Sequence, residues 1–395
     1  MIEFFLALLL FTPFFVMFVL PTLIFVVSEV EQVLWLRRTG GTRTEHIHRM
    51  SAGGGDQESF AVPITGGWKS FITTSRIMAA LGGAYAFLLI GLVIQANVAI
   101  SNHETLTPEA ATPEAAAHET NAPGRFVTVE GHRLHVATLG DINADPSGAP
   151  LLLIHGFAPP GHTTFFPWAE KLAAKRALIL PDLLGYGFSE RVTTPGLYYS
   201  QKAQAAAIAA MLDDLGVAQV DVVGHSYGGV IAAQFAVDYP QRVRRIIFMD
   251  AAIYLRPSPI TEAIIQLPLG IGRAVAWHAF GGGPFSILNC AGQPGCVWTL
   301  PTKSKGTIDA VRASMSSHRR YTEGAVGPDD VTKIKAPALV LWGADDVLVP
   351  VTDGQRLALV LKVPFASIAD ARHMPYRQQP DKVAAWVLDF LNPPK

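Results

Sequence analysis

The chain has little charge and almost no cysteine. Only 16% of its 395 residues are Asp, Glu, Lys or Arg, and Cys occurs twice. Two thiols cannot build a disulfide scaffold or a four-thiolate zinc site. Neither sign of charge predominates: 31 Lys and Arg stand against 32 Asp and Glu, a net charge of −1. Nothing in that balance indicates a polyanion partner such as nucleic acid. Hydrophobic residues make up 50% and mean hydropathy is +0.29, an apolar excess that directs attention to membrane segments.

Two long runs hold no charge at all. Phe4 to Val27 is FFLALLLFTPFFVMFVLPTLIFVV, about 36 Å of helix, enough to cross a hydrocarbon core of ~30 Å with some tilt. Pro13 and Pro21 would kink it, which a membrane span tolerates. A cleaved signal peptide fits poorly, because no cation precedes the run and Glu3 does. The second run, Ile77 to Ile100, is rich in Ala and Gly, as close-packed membrane helices are. Arg37, Arg38, Arg43, Arg49, Lys69 and Arg76 lie between the runs, with Trp35 at the edge of the first. Cations on a short loop place it in the cytoplasm, so both termini, and everything after residue 125, are expected outside. Residues 101–124, with TPEA at 107 and again at 112, lack the large apolar side chains needed to offset ordering entropy and read as a flexible linker.

From Phe126 the pattern changes. FVTVEGHRLHVATLG predicts a hairpin turning near Glu130–Gly131. Apolar runs then recur at 151–155, 177–181, 220–224, 245–250, 338–342 and 365–369, as strands buried on both faces of a parallel sheet do. Helical patterns at 201–216, 227–239 and 381–392 alternate with them, so the class is α/β. Residues 252–335 are too long for a loop and are expected to be an inserted cap, leaving 125–251 and 336–395 as the core.

Gly224-His225-Ser226-Tyr227-Gly228 stands between a predicted strand and a predicted helix. G-x-S-x-G in that setting makes a sharp turn that lifts the serine oxygen above the sheet, the glycines leaving room for the bend. From Arg125 to Lys395 the chain resembles the α/β-hydrolase fold family. The resemblance implies a mostly parallel sheet with an inserted helical cap, here preceded by two transmembrane helices, and a triad in the order Ser, acid, His. It assigns Ser226 as nucleophile and His373, in DARHMPYRQQP, as base. Family members carry G-H-x-x-x-x-E-x-P there; Arg372 and Gln379 depart from it. The acid lies in GADDVLVP, where the family spacing favours Asp346 over Asp345. The oxyanion donors implied are the backbone N–H groups of Tyr227 and of Phe157, with Ala158 as the alternative. PDLLGYGFSER (181–191) matches a further family loop, D-x-x-G-x-G-x-S. His132 and His135 are read as surface residues of the hairpin.

A serine at the elbow excludes relatives that use Asp there, the epoxide hydrolases and haloalkane dehalogenases. A membrane-anchored esterase or lipase acting through an acyl-enzyme on a small, apolar acyl substrate is the leading expectation. A carbon–carbon bond hydrolase, acyltransferase or perhydrolase with the same triad is the alternative. The H-G-F sequence at 155–157 lacks the Ser- and Gly-rich form familiar in carbon–carbon hydrolases. A non-catalytic binding module on the same fold is the reading from another class. No metal or organic cofactor is implied. Cys290 and Cys296 flank a short turn-rich stretch and are candidates for a disulfide on the extracytoplasmic side.

Overall fold

The computed structural model describes residues 44–48, 59–63, 83, 87–98, 124–144, 149–157, 161–190, 199–255, 263–264, 266–268, 270–280 and 325–392. The expected first span, most of the linker, the 303–320 cationic stretch of the cap and the Cys290–Cys296 pair lie outside these residues. Two units divide the chain, 1–94 and 95–395.

In the first unit, β1 (Thr44–His48) and β2 (Ser59–Pro63) form an antiparallel pair, with Thr44 opposite Pro63 and His48 opposite Ser59. Neither run carries the long alternation that would announce a strand in sequence. Of the expected second span, residues 83 and 87–98 are described. Residues 87–98 form helix α1, which exposes Phe87, Leu88, Ile90, Ile94 and Val98. Among the described residues no helix is long and apolar enough to cross a membrane.

The second unit is built on an eight-stranded sheet in the order β10-β9-β8-β7-β5-β6-β4-β3. Its strands are β3 (Gly124–Val129), β4 (His132–Leu139), β5 (Leu151–Ile154), β6 (Leu178–Pro181), β7 (Val220–His225), β8 (Val243–Met249), β9 (Ala338–Gly343) and β10 (Phe365–Ile368). β4 runs antiparallel to both of its neighbours, β3 and β6, and the other pairings of the sheet are parallel. The β3–β4 turn falls at Glu130 and Gly131, both at positive φ, the backbone that a two-residue hairpin turn needs. Gly124, placed by the sequence in the linker, already pairs with Ala137 in the sheet.

The central strands are buried on both faces, as their unbroken apolar runs require. Leu152 and Ile154 enter one core with helices α3 (Gln201–Asp214) and α4 (Tyr227–Asp238). Leu151 and Leu153 enter the opposite core with α2 (Trp168–Ala173) and the last helix (Pro380–Leu391). Asp221 interrupts the apolar run of β7, and it is fully buried against Arg176 and Arg244; a charge at such a position persists only when paired. Between β9 and β10 runs α6 (Val351–Leu361), and α5 (Ile271–Phe280) is the described helix of the expected cap. The short Pro375–Gln378 turn is α7, and the last helix is α8.

Chain direction reverses across β5: β6 lies on one side of it and β7, the next strand in sequence, on the other. Such a switch point opens a crevice at the carboxyl ends of the strands. The segments that follow β5, β7, β8, β9 and β10 meet there.

Candidate active site

Ser226 is the hinge between β7 and α4. Its φ of 54° and ψ of −120° are strained for a residue with a side chain. Three backbone hydrogen bonds hold it there: Ser226 N–H to Met249 O (3.0 Å), and the N–H groups of Gly229 (2.9 Å) and Ala252 (3.0 Å) to Ser226 O. The bend also needs close approach. A Cβ on Gly228 would collide with the carbonyl oxygens of Ile154 and His155, so only glycine lets α4 come down on β5.

The oxygen of Ser226 lies 2.9 Å from His373 Nε2, and His373 Nδ1 lies 2.8 Å from Asp346 Oδ2. All three side chains are buried. Asp346 accepts only, so Nδ1 carries its proton toward the carboxylate and Nε2 is left as acceptor for the serine O–H. The other Asp346 oxygen accepts the N–H groups of Leu348 (2.8 Å) and Val349 (3.1 Å). Burial works to raise this carboxyl, but the His373 charge, its hydrogen bond and the two amides outweigh it and hold the group below the usual range. Asp345 is exposed, its backbone N–H spent on Ala371 O. Of the two adjacent acids, the structure brings only Asp346 to His373.

A second histidine anchors the first. His225 Nε2 donates to the backbone oxygen of His373 at 2.6 Å. Burial, reinforced by the neighbouring charge of His373, drives His225 down to about 3, so at neutral pH it is an uncharged donor. His155 is treated alike: Nδ1 donates to Gly156 O (2.8 Å) and Nε2 accepts from Leu183 N–H (3.0 Å). Burial lowers it to about 4. Its place is structural, fixing the turn that leads to Phe157.

The Phe157 ring stacks on Tyr227, with centroids 4.2 Å apart and planes 9° from parallel. The Tyr227 hydroxyl is tied to Tyr199 O at 3.1 Å. That stack sets the loop after β5 beside the first turn of α4, where backbone N–H groups have no partner within the helix. Phe157 and Tyr227, the residues expected to supply the oxyanion donors, are thus in contact with each other; Ala158 lies outside the described residues.

The sequence misplaced one histidine and missed another. His135 is fully buried rather than on the surface, and its Nδ1 donates to Asp182 Oδ2 at 2.9 Å. His162 donates to Asp182 Oδ1 from both Nδ1 (2.8 Å) and its backbone N–H (2.6 Å), and Phe188 N–H reaches Oδ2 at 2.9 Å. Four donors on one carboxylate explain why the D-x-x-G-x-G-x-S loop begins with Asp. His132, by contrast, reaches Glu190 at 3.0 Å in a partly exposed pair. His135, His162 and Asp182 are also close enough together to suggest metal ligation. Both Nδ1 atoms hydrogen-bond to the carboxylate, and the Nε2 atoms of both rings are buried without a hydrogen-bond partner.

The profile of the α/β hydrolase fold matches residues 149–269. A 2-hydroxy-6-oxo-2,4-heptadienoate hydrolase of Pseudomonas putida is 35% identical over 251 residues, covering 59% of this chain and 83% of that protein. Two solved structures share the fold. One, a membrane phospholipase A, has a TM-score of 0.54 at 21% identity and covers 82% of this chain and 98% of its own. The other, a thermophilic esterase of Thermogutta terrifontis, has a TM-score of 0.55 at 24% identity and covers 68% and 98%.

Proposed function

The chain belongs to the α/β-hydrolase fold family, and from that premise we propose that it is a serine hydrolase cleaving a carbon–carbon bond beside a ketone. The observation that carries the serine chemistry is the hydrogen-bonded series Ser226–His373–Asp346. The bond type rests on the 35% identical relative. A 6-oxo-heptadienoate holds a ketone and no ester or amide, so its hydrolysis breaks a carbon–carbon bond. The sequence reading ranks ester cleavage first; the comparison reverses that order.

In this reading Ser226 Oγ attacks the ketone carbon as its proton passes to His373 Nε2. The oxyanion is held by the Phe157 and Tyr227 amides, and Asp346 steadies the imidazolium. The 2-hydroxy-dienoate must first ketonise, its enol proton moving to the carbon beside the ketone. When the carbon–carbon bond then breaks, its electron pair enters the conjugated 2-oxo-enoate, and the resulting dienolate takes the proton from His373. Water, activated by His373, releases the acyl group and restores the serine. The balance is one ketone and one water giving a carboxylic acid and a C–H bond.

Ester cleavage is the second reading, favoured by the H-G-F turn at 155–157, which lacks the Ser- and Gly-rich form. We also read the uncharged runs 4–27 and 77–100 as spans, residues 252–335 as the cap, and the body as extracytoplasmic. The apolar side chains that α1 exposes support the second span. Protease protection of intact membranes tests that topology; digestion of the body only after the membrane is breached from outside to inside would reverse it.

Labelling with a fluorophosphonate probe tests the nucleophile: wild type labels and Ser226→Ala does not. Loss of the dienolate absorbance of a 2-hydroxy-6-oxo-dienoate, run beside p-nitrophenyl esters, decides the bond. Labelled enzyme that turns over the esters and leaves the dienoate intact would establish the second reading. Folded wild type that never labels would remove both.

A further inference from the structure

One buried acid beside the triad has no part in the mechanism above. Asp250 follows β8 directly, is fully buried, and has a φ of 46°, a strained value for a non-glycine residue. Its backbone N–H continues the ladder to Leu341 O at 3.1 Å. Its Oδ1 accepts the Gly343 N–H at 2.9 Å, at the start of the turn that carries Asp346. Its Oδ2 is buried with no hydrogen-bond partner. An oxygen of Asp250, an oxygen of Asp346 and a nitrogen of His373 lie within 4.8 Å of one another.

We propose that Asp250 is a second, protonated carboxyl of the site, a positioning residue whose O–H serves the Asp346 carboxylate and which becomes the acid facing His373 when Asp346 is lost. Two carboxylates this close and this dry cannot both be charged, so one keeps a proton. Asp346 has the imidazole and two amides; Asp250 has a single amide. Burial first, then the charge of Asp346, pushes the Asp250 carboxyl well above the usual range. The proton on Oδ2 accounts for the orphaned oxygen, since a hydroxyl there is a donor beside a carboxylate acceptor. The titratable groups facing Asp250 are Asp346, His373 and the buried Tyr376, whose hydroxyl is raised by burial and, to a smaller degree, by Asp250.

The inference rests on the serine-hydrolase reading, and the fluorophosphonate labelling rate separates the two. Unlabelled wild type means that the reading has failed. With wild type labelling, Asp250→Ala should slow the reaction at least tenfold, and Asp250→Asn should recover most of that loss, because the amide keeps a neutral donor and an acceptor. Asp346→Asn should retain activity that Asp346→Asn with Asp250→Asn loses by a further tenfold or more. The single variant should also lose its activity as pH falls and Asp250 takes up a proton. A double variant as fast as Asp346→Asn, or Asp250→Asn as slow as Asp250→Ala, would overturn the proposal. Should Asp250→Ala fail to fold by circular dichroism, the comparison of Asp346→Asn with the double variant decides alone.

Discussion

Gly156 offers a direct measure of how tightly the site is built. Its α-carbon faces the elbow, and a methyl group there would lie 2.8 Å from Ser226 Cβ, 3.3 Å from Ser226 Oγ and 3.2 Å from His225 O. Carbon atoms settle at about 3.5–4.0 Å, so Gly156→Ala must drive the two apart by about 0.7 Å or more. The elbow cannot yield freely, because Ser226 is bonded through its N–H to Met249 and through its carbonyl to Gly229 and Ala252. Part of the displacement therefore reaches the serine oxygen and its 2.9 Å contact with His373. A misplacement of about 1 Å costs on the order of a hundredfold in rate, so between half and all of about 0.7 Å predicts a loss of roughly five- to thirtyfold. The assay is the second-order rate of fluorophosphonate labelling, with thermal melting run in parallel to establish that the variant is folded. Folded Gly156→Ala that labels within threefold of wild type would refute the argument, because the turn would then have room that the geometry denies it.

Three further perturbations follow from the buried polar groups. Asp221→Asn leaves the buried guanidinium of Arg176 without its carboxylate, and denaturant unfolding should show a loss of about 3–5 kcal/mol; a loss under 1 kcal/mol would contradict the pairing. Asp182→Asn sets an amide donor against N–H groups that now point at a carboxylate oxygen. Stability should fall by about 2–4 kcal/mol, and an unchanged melting midpoint would show that the four bonds are not what holds the loop. His155 and His225 stay neutral when folded, at about 4 and about 3, but take up protons near 6.5 when unfolded. The unfolded state then binds more protons below that value, so stability falls as pH drops from about 6.5 toward 4, by up to about 1.4 kcal/mol per pH unit for each ring. His225→Gln should flatten that slope in a pH series of melting curves, and an unaltered slope would remove His225 from the account.

Strands were legible because the central sheet is buried on both sides. Runs such as LLLI and ALVLW need no alternation to declare themselves, and β5 and β9 fall where the runs do. The elbow at Ser226 was legible because strand, turn and helix occupy one continuous stretch, and the loop of His373 because it precedes the last helix. Choosing Asp346 over Asp345 needed the spacing to Pro350, and the structure separates the two by burial. What stayed hidden depends on neighbours distant in the chain. His135 and Asp182 are 47 positions apart and His162 and Asp182 are 20 apart, so nothing local marks them as partners. β4 looks like a half-exposed hairpin strand, yet four of its residues in succession, Leu134 to Ala137, are buried. Asp250 reads as the polar end of an apolar run; its meaning arises only because β8 lies against β9.

The strained residues gather where these strands end. Among the described residues five non-glycine side chains sit at positive φ: Glu130, Ser226, Asp250, Lys362 and Asp370. Glu130 shapes a hairpin turn and Lys362 caps a helix in the left-handed form, both ordinary uses. The other three follow β7, β8 and β10 at the carboxyl edge of the sheet. Ser226 carries the proposed nucleophile, Asp250 holds the Gly343 amide, and Asp370 stands three residues before His373. At about 1–3 kcal/mol each, such conformations persist only where the surroundings fix them. For Ser226 and Asp250 the fixing is done by backbone bonds to the adjoining strand: Ser226 N–H to Met249 O and Asp250 N–H to Leu341 O. The neighbour that forces the bend is thus the one that supplies the next member of the site. Loosening any one of these strand ends should therefore disturb the geometry of the others, which is why the site reads as one unit although its residues come from five separate segments.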